Sequence, residues 1–341
     1  MKILVTGGTG YIGAHTVVEL QQSGYEVVII DNLSNSYPDV VQSIQKITGI
    51  LPVFEKIEMC DKRQLEDFFT RNPDIAGVIH FAAFKAVGES AQYPLKYYHN
   101  NLFSLINLLS CMQDFHINTL VFSSSCTVYG QPETLPVHEQ SPILPASSAY
   151  GETKQISEKI ITDQTGTTEL KTIMLRYFNP IGAHESALIG ELPLGVPSNL
   201  VPFITQTAIG KRDYLNVWGN DYDTPDGTCI RDYIYVADLA KAHVTALNRL
   251  TGTANEKKCE LFNLGTGNGN SVLEVIHSFE RVSGIKLNYR FAPRREGDVA
   301  KIWADCSLAN NVLGWKAEKN LDEMMLSAWN WEKHLAETGN N

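Results

Sequence analysis

Two residues four apart, Tyr150 and Lys154 in Ala149-Tyr150-Gly151-Glu152-Thr153-Lys154, have side chains that could move a proton. A tyrosine hydroxyl ionises near pH 10, too weak a base for neutral water. On a helix, that spacing projects both side chains from one face. An ammonium beside the phenol favours the phenolate and draws its pKa toward the working range. Upstream, a β-rich run over 119–123 enters Ser124-Ser125-Cys126-Thr127-Val128-Tyr129-Gly130. Ser125, at the carboxyl end of that strand, can hydrogen-bond the same substrate oxygen. Ser125, Tyr150 and Lys154 are therefore the candidate catalytic group. Chance produces Y-x-x-x-K often, so the pattern needs a second motif beside it.

That motif lies at the start of the chain. Residues 2–6 read as a strand that runs into Gly7-Gly8-Thr9-Gly10-Tyr11-Ile12-Gly13 and then into a helix over 12–22. Gly8, Gly10 and Gly13 satisfy G-x-G-x-x-G, and Gly7, Gly10 and Gly13 the wider G-x-x-G-x-x-G. One glycine makes the tight turn, one lets backbone approach a pyrophosphate, and one lets helix pack on strand. The helix N-terminus offers free N–H groups and a positive dipole end to phosphates. The second strand, 26–31, ends in Asp31, 21 residues after Gly10, where a carboxylate can accept both ribose hydroxyls of an adenosine. No Arg or Lys follows from Asp31 through Asp39 to neutralise a 2′-phosphate, which favours NAD over NADP.

These motifs must be carried by a layered fold. Strand-like runs (2–6, 26–31, 51–57, 77–81, 119–123, 171–177) alternate with helical patterns (12–22, 63–71, 95–115, 151–165). Several strands are apolar throughout, as when helices cover both faces of a parallel sheet. The expected fold class is α/β, a Rossmann-type doubly wound parallel sheet with a smaller C-terminal mixed α/β substrate lobe. Residues 1–178 are expected to form the NAD-binding domain. Residues 179–341 are expected mainly to bind substrate, with interleaved segments returning to the N-terminal sheet. Residues 179–201, rich in Gly, Pro and Asn, read as a long loop.

The composition excludes other classes. With 28 basic against 38 acidic residues the formal charge is −10, and no basic block is visible, so neither nucleic acid nor an anionic membrane is an expected partner. No apolar run approaches the roughly 20 residues that span a bilayer. The first residues read as a strand, not a signal peptide, so a cytoplasmic protein is expected. Cys60, Cys111, Cys126, Cys229, Cys259 and Cys306 stand singly, without a C-x-x-C pair, and the histidines show no ligand spacing. No metal is expected. Helices 95–115 and 151–165 carry apolar residues on more than one face (Leu102, Leu105, Ile106, Leu108, Leu109; Ile156, Ile160, Ile161), which points to a homodimer.

The Gly7–Gly13 turn, the 123–130 strand end and Tyr150…Lys154 together resemble the extended short-chain dehydrogenase/reductase family. Residues 81–90, 175–180, 231–234 and 292–298 resemble its sugar-nucleotide epimerases in particular, and the likeness runs from Met1 to about Trp331. The resemblance implies reversible inversion at C4 of UDP-galactose and UDP-glucose through a 4-keto sugar, with tightly held NAD and Tyr150 as base. It implies NAD contacts from Gly7, Gly10, Tyr11, Ile12, Gly13, Asp31, Asn32, Leu33, Ser34, Asn35, Ser36, Phe81, Ala82, Ala83, Lys85, Asn100 and Phe178, besides Ser125, Tyr150 and Lys154. It implies that Asn179, Asn199, Leu200, Arg231, Arg295 and Asp298 hold the UDP-sugar, as do Lys85, Ser125 and Tyr150, with the backbone of Asn216, Val217 and Trp218 beside uracil. Arginine forks such as Arg231 and Arg295 suit a diphosphate.

Three positions depart from the family pattern or vary within it. Glu58-Met59 stands where the family usually places Asp-Ile at the adenine edge. Ile302 occupies the position walling the sugar pocket beside C2, which implies measurable but inferior activity on N-acetylated UDP-sugars. Cys126-Thr127 stands where a related 4,6-dehydratase needs an Asp-Glu pair, so dehydration is disfavoured. A non-catalytic NAD-binding module would have no use for Ser125, Tyr150 and Lys154 together.

Overall fold

Strands that are apolar on both faces need cover on both. In β1 (Lys2–Thr6), Ile3 and Val5 join one buried cluster and Leu4 the other, as the two-residue strand period requires. The computed structural model describes residues 1–252, 257–295 and 297–339. The chain continues through α1 (Tyr11–Gln22), β2 (Glu26–Asp31), α2 (Val40–Thr48), β3 (Val53–Lys56), α3 (Lys62–Arg71) and β4 (Ile75–His80). Then follow α4 (Val87–Gln92), α5 (Pro94–Tyr98), a π turn (His99–Phe103), α6 (Ser104–Asp114), β5 (Thr119–Ser125), α7 (Ala149–Thr167) and β6 (Lys171–Tyr177). The second half comprises β7 (Asn179–Ile181), α8 (Leu200–Ala208), β8 (Leu215–Trp218), β9 (Ile230–Tyr235), α9 (Val236–Thr251), β10 (Cys259–Leu264), β11 (Gly269–Ser271), α10 (Val272–Ser283), β12 (Tyr289–Ala292), β13 (Lys301–Ile302) and α11 (Leu321–Thr338).

The main sheet has seven parallel strands in the order β10-β6-β5-β4-β1-β2-β3. Strand order reverses between β1 and β4, and in open sheets of this kind the crevice beyond the carboxyl ends at that point takes ligands. The fold is thus the doubly wound α/β class expected. Residues beyond 178 enter this layer too: β10 forms its edge, and α9 packs against α1, β5 and β6. The remainder builds a sheet of β11-β9-β13 with β7 paired to β9, a short β8–β12 pair, and a separate apolar core under α8, α10 and α11.

Local chemistry sets the helix starts. Asp61 caps α3 by accepting from Arg63 N at 3.1 Å, and Ser148 caps α7 by accepting from Gly151 N at 3.1 Å. Two sequence expectations need correction. The helix expected over 95–115 is interrupted by the π turn, because the buried Asn101 bonds to Phe84 and Thr153 instead of continuing the regular helix face. The loop expected over 179–201 contains β7 and an antiparallel bridge between Ala183 and Gly190. Of the apolar residues that suggested an all-round apolar helix, Leu105, Leu108, Leu109 and Ile161 face the sheet and only Ile106 is exposed. Among the described residues no helix is long and apolar enough to cross a membrane.

Candidate active site

The glycine turn is as tight as its spacing suggests. Gly7 has φ +68°, and a Cβ there would lie 2.8 Å from Ala82 N, so the turn crosses directly over the segment after β4. A Cβ on Gly13 would lie 2.3 Å from Gly7 O, which leaves α1 no room for a side chain there. Gly10 is different: its Cβ would meet only Gly7 O, at 3.2 Å, and the other side is open. Gly10 is the N-cap of α1, with no side-chain cap bond and no acidic residue in the first turn, so side chains leave the helix N–H groups unclaimed. Asp31 Oδ1 accepts from Leu33 N at 2.8 Å and from Ser36 Oγ at 3.3 Å, and Oδ2 from Thr9 N at 3.4 Å. Leu33 takes φ +61° to reach that carboxylate. Asn32 donates to Glu58 Oε2 at 2.8 Å, so the longer acid reaches the turn after β2, while Met59 is buried beneath the sheet. Ser34 N donates to Asn32, and Asn35 is exposed in the same turn.

Ser125, Tyr150 and Lys154 come together at the carboxyl end of β5, all buried. Ser125 Oγ accepts from Thr127 N at 3.3 Å. Lys154 Nζ donates to Ser123 O at 2.6 Å and lies 4.9 Å from the Phe122 ring centroid and 5.9 Å from that of Tyr150. In the chain alone, burial governs the ionisation of the pair. Burial pushes Tyr150 up to about 12, opposed by a hydrogen bond from Ser125. Burial also pushes Lys154 down to about 8, opposed by the Glu158 carboxylate one turn on. Lost hydration outweighs the attraction between the two side chains at this separation.

The remaining candidates surround this centre. Phe81 packs on His243 with ring centroids 4.6 Å apart, Ala82 N donates to Thr6 Oγ1 at 3.4 Å, and Ala83 is half-buried beside them. Asn100 turns its amide to Asn101 Oδ1 at 2.9 Å. Tyr11 donates to Gly182 O at 2.6 Å, and Ile12 packs between two apolar clusters. Arg231 and Arg295 converge on Asp298: Arg295 Nε donates to Oδ2 at 3.0 Å, and Arg231 Nη2 lies 3.9 Å from Oδ1. Ile302 pairs with Arg231 across β13 and β9 and is buried with Cys126, Val128 and Phe178. Asn216, Val217 and Trp218 form β8, with Trp218 exposed beside Arg295 at 6.0 Å. Asn179 opens β7 and Leu200 opens α8. Among the described residues no cluster of His, Cys, Asp or Glu could hold a metal ion.

This arrangement has known counterparts. A family profile described as GDP-mannose 4,6 dehydratase matches residues 4–327. The UDP-glucose 4-epimerase of Bacillus subtilis is 50% identical over 333 residues, covering 97% of each chain. The chain belongs to the UDP-glucose 4-epimerase family. A solved epimerase of this family from Bifidobacterium longum, in complex with NAD+ and UDP, superposes with a TM-score of 0.94 at 44% identity over 98% of each chain. Another, from Stenotrophomonas maltophila with bound NAD and formylated UDP-arabinopyranose, gives 0.94 at 47% identity over 99% of each chain.

Three residues of this epimerase-family site escaped the sequence analysis. Asn101 bonds Phe84 N and O at 2.9 and 3.0 Å and Thr153 Oγ1 at 3.1 Å, joining the loop after β4 to α7. Its neighbour Asn100 was the only signal. Glu158 continues the Tyr150–Lys154 face by a further four residues, a spacing visible in the sequence. Glu191 bonds both Lys85 and Asn199, and nothing local marks it. The state of Lys154 can be measured directly. A titration of its ammonium by nitrogen-15 NMR should have a midpoint near 8; a midpoint near the ordinary lysine value of roughly 10.4 contradicts the burial described.

Proposed function

We propose that this chain interconverts UDP-galactose and UDP-glucose by reversible inversion at C4, with NAD retained through the cycle, a reaction of galactose metabolism. The observation that carries this reading is the convergence of Ser125, Tyr150 and Lys154 at the end of β5, two strands across the sheet from β1 and its Gly7–Gly13 turn. The residues present fit NAD. The open face at Gly10 and the unclaimed N–H groups of α1 suit its pyrophosphate, and Asp31 suits the adenosine ribose. When bound, NAD supplies the hydride acceptor and donor and adds a positive ring charge near Tyr150.

Tyr150 takes the proton of the 4-hydroxyl and later returns it, while Ser125 holds the same oxygen by a hydrogen bond. With Tyr150 pushed up to about 12 by burial, the Lys154 charge is what this chain contributes toward the phenolate. Arg231 and Arg295 grip the diphosphate, and Asp298 keeps the two forks together. The sugar end lies on the side of Cys126, Phe178 and Ile302, whose apolar side chains offer its hydroxyls no strong hydrogen bond and so let the 4-keto ring turn over. Dehydration is not supported: Cys126 is pushed up to about 12 by burial, and Thr127 is neutral, so neither replaces a carboxylate pair.

A homodimer accounts for the apolar strip left open along α5, the π turn and α6, where Leu95 is 80% exposed and Phe103 53%. Light scattering at micromolar concentration should give the mass of two chains, with Leu95→Glu plus Phe103→Glu reducing it to one; a monomeric parent contradicts the assignment. Replacing Tyr150 by Phe should lower turnover of UDP-galactose by about 10²–10⁴-fold, with near-normal activity contradicting its role as base. At Ile302, the ratio of kcat/KM for UDP-N-acetylgalactosamine to that for UDP-galactose should fall in Ile302→Tyr and rise in Ile302→Ser, within roughly 10–200-fold for small steric changes. Equal ratios in the three proteins would remove Ile302 as the gate.

A further inference from the structure

Two side chains assigned to ligand binding share one acceptor oxygen. Lys85 Nζ lies 3.0 Å from Glu191 Oε1, and Asn199 Nδ2 lies 2.5 Å from the same atom. Asn199 is the N-cap of α8, a position where an asparagine side chain usually accepts from its own helix. Here it makes no such bond and reaches Glu191 instead.

The carboxylate is not on a free loop. Trp331 of α11 donates its indole N–H to Glu191 O at 3.0 Å. Gly190 lies so close to the Trp331 ring that a Cβ would come within 2.5 Å, and it also bridges to Ala183. On the other side, Tyr11 donates to Gly182 O, and Lys85 Nζ lies 5.7 Å from the Tyr11 ring centroid. Backbone and neighbours thus deliver Glu191 to the place where the loop after β4 meets the segment leading into α8.

We propose that Glu191 is a positioning residue, whose carboxylate ties Lys85 to Asn199 and fixes both at the spacing a bound UDP-sugar requires. The inference rests on the function proposed above. Lys85 is a flexible four-carbon side chain that is partly exposed, and without a partner it would have to be ordered by each substrate molecule that binds. Holding it beforehand strengthens binding without touching the reacting carbon.

The test uses the full NAD-loaded protein and measures steady-state kinetics with UDP-galactose, UDP binding by calorimetry, and thermal melting. Glu191→Ala should raise KM and the Kd for UDP by about tenfold or more, the scale of losing hydrogen bonds to a charged group, with a smaller change in kcat. Glu191→Gln retains an acceptor oxygen for both donors and should recover most of that loss. Glu191→Asp, which withdraws the carboxylate by one methylene, should raise KM and keeps the test available if the alanine variant does not fold. Unchanged KM and Kd in the Ala and Asp variants, with only a lower Tm, would overturn the proposal as a purely structural contact. Tighter UDP binding in Glu191→Ala would also overturn it, because the carboxylate would then be a competitor of the diphosphate. The UDP-binding arm reads the tie even if the parent protein fails to epimerise, so failure of this proposal and failure of the assigned reaction are distinguishable.

Discussion

A buried ammonium is the constraint around which this structure is organised. Lys154 is 5% exposed, and taking a charge out of water is strongly unfavourable unless close partners replace the lost hydration. Its replacements come from several elements. The Ser123 carbonyl of β5 accepts its proton at 2.6 Å, the Phe122 ring lies beneath it, and Glu158 supplies the opposite charge from the next turn of α7. Glu158 is held in turn by Arg176 of β6 at 2.8 and 2.5 Å and by the Ser124 hydroxyl. Arg176 lies 4.8 Å from the Tyr129 ring centroid, and Tyr129 donates to Asn263 of β10 at 2.6 Å. Four elements of the main sheet layer therefore accommodate two buried cations, Lys154 and Arg176, around the single carboxylate of Glu158. If Tyr150 acts as the proposed base, a dry and fixed ammonium beside it is worth more to the phenolate than a hydrated one.

The other fixed points guide ligands toward this centre. The glycine turn and Asp31 define one end, with no room for side chains at Gly7 or Gly13. In the proposed reading the other end is Arg231 of β9 with Arg295 and Asp298 from the segment between β12 and β13. In that reading Ser125 and Tyr150 sit between the two ends, beside the buried apolar cluster of Cys126, Val128, Phe178 and Ile302. Firm grip on the nucleotide with few bonds to the sugar is the physical requirement for turning the sugar over without releasing it.

What the sequence made legible was local. Glycine spacing, the acid ending β2, the alternation of strands and helices, and Tyr150 with Lys154 can each be read within a few residues, and all appear in the structure as elements in their expected order. The substrate-side roles proposed for Arg231 and Asp298 rest on family resemblance, since nothing in their local sequence distinguishes them from surface ion pairs. The π turn was hidden because it depends on the bonds of Asn101 to Phe84 and Thr153, 17 and 52 positions away, which helical spacing cannot report. Glu191 was hidden because its partner Lys85 lies 106 positions away. The rise in the Tyr150 pKa was hidden for a related reason: the Tyr–Lys spacing reports attraction, whereas burial, which depends on the whole fold, pushes the phenol up in the chain alone.

In the proposed reaction the hydrogen on C4 leaves and returns within one site while Tyr150 handles only the hydroxyl proton. The most direct measurement follows UDP-galactose carrying deuterium at C4 through conversion to UDP-glucose in ordinary water. The deuterium should stay on C4 of the product. Loss of that label to solvent during turnover would contradict a hydride that leaves and returns at C4.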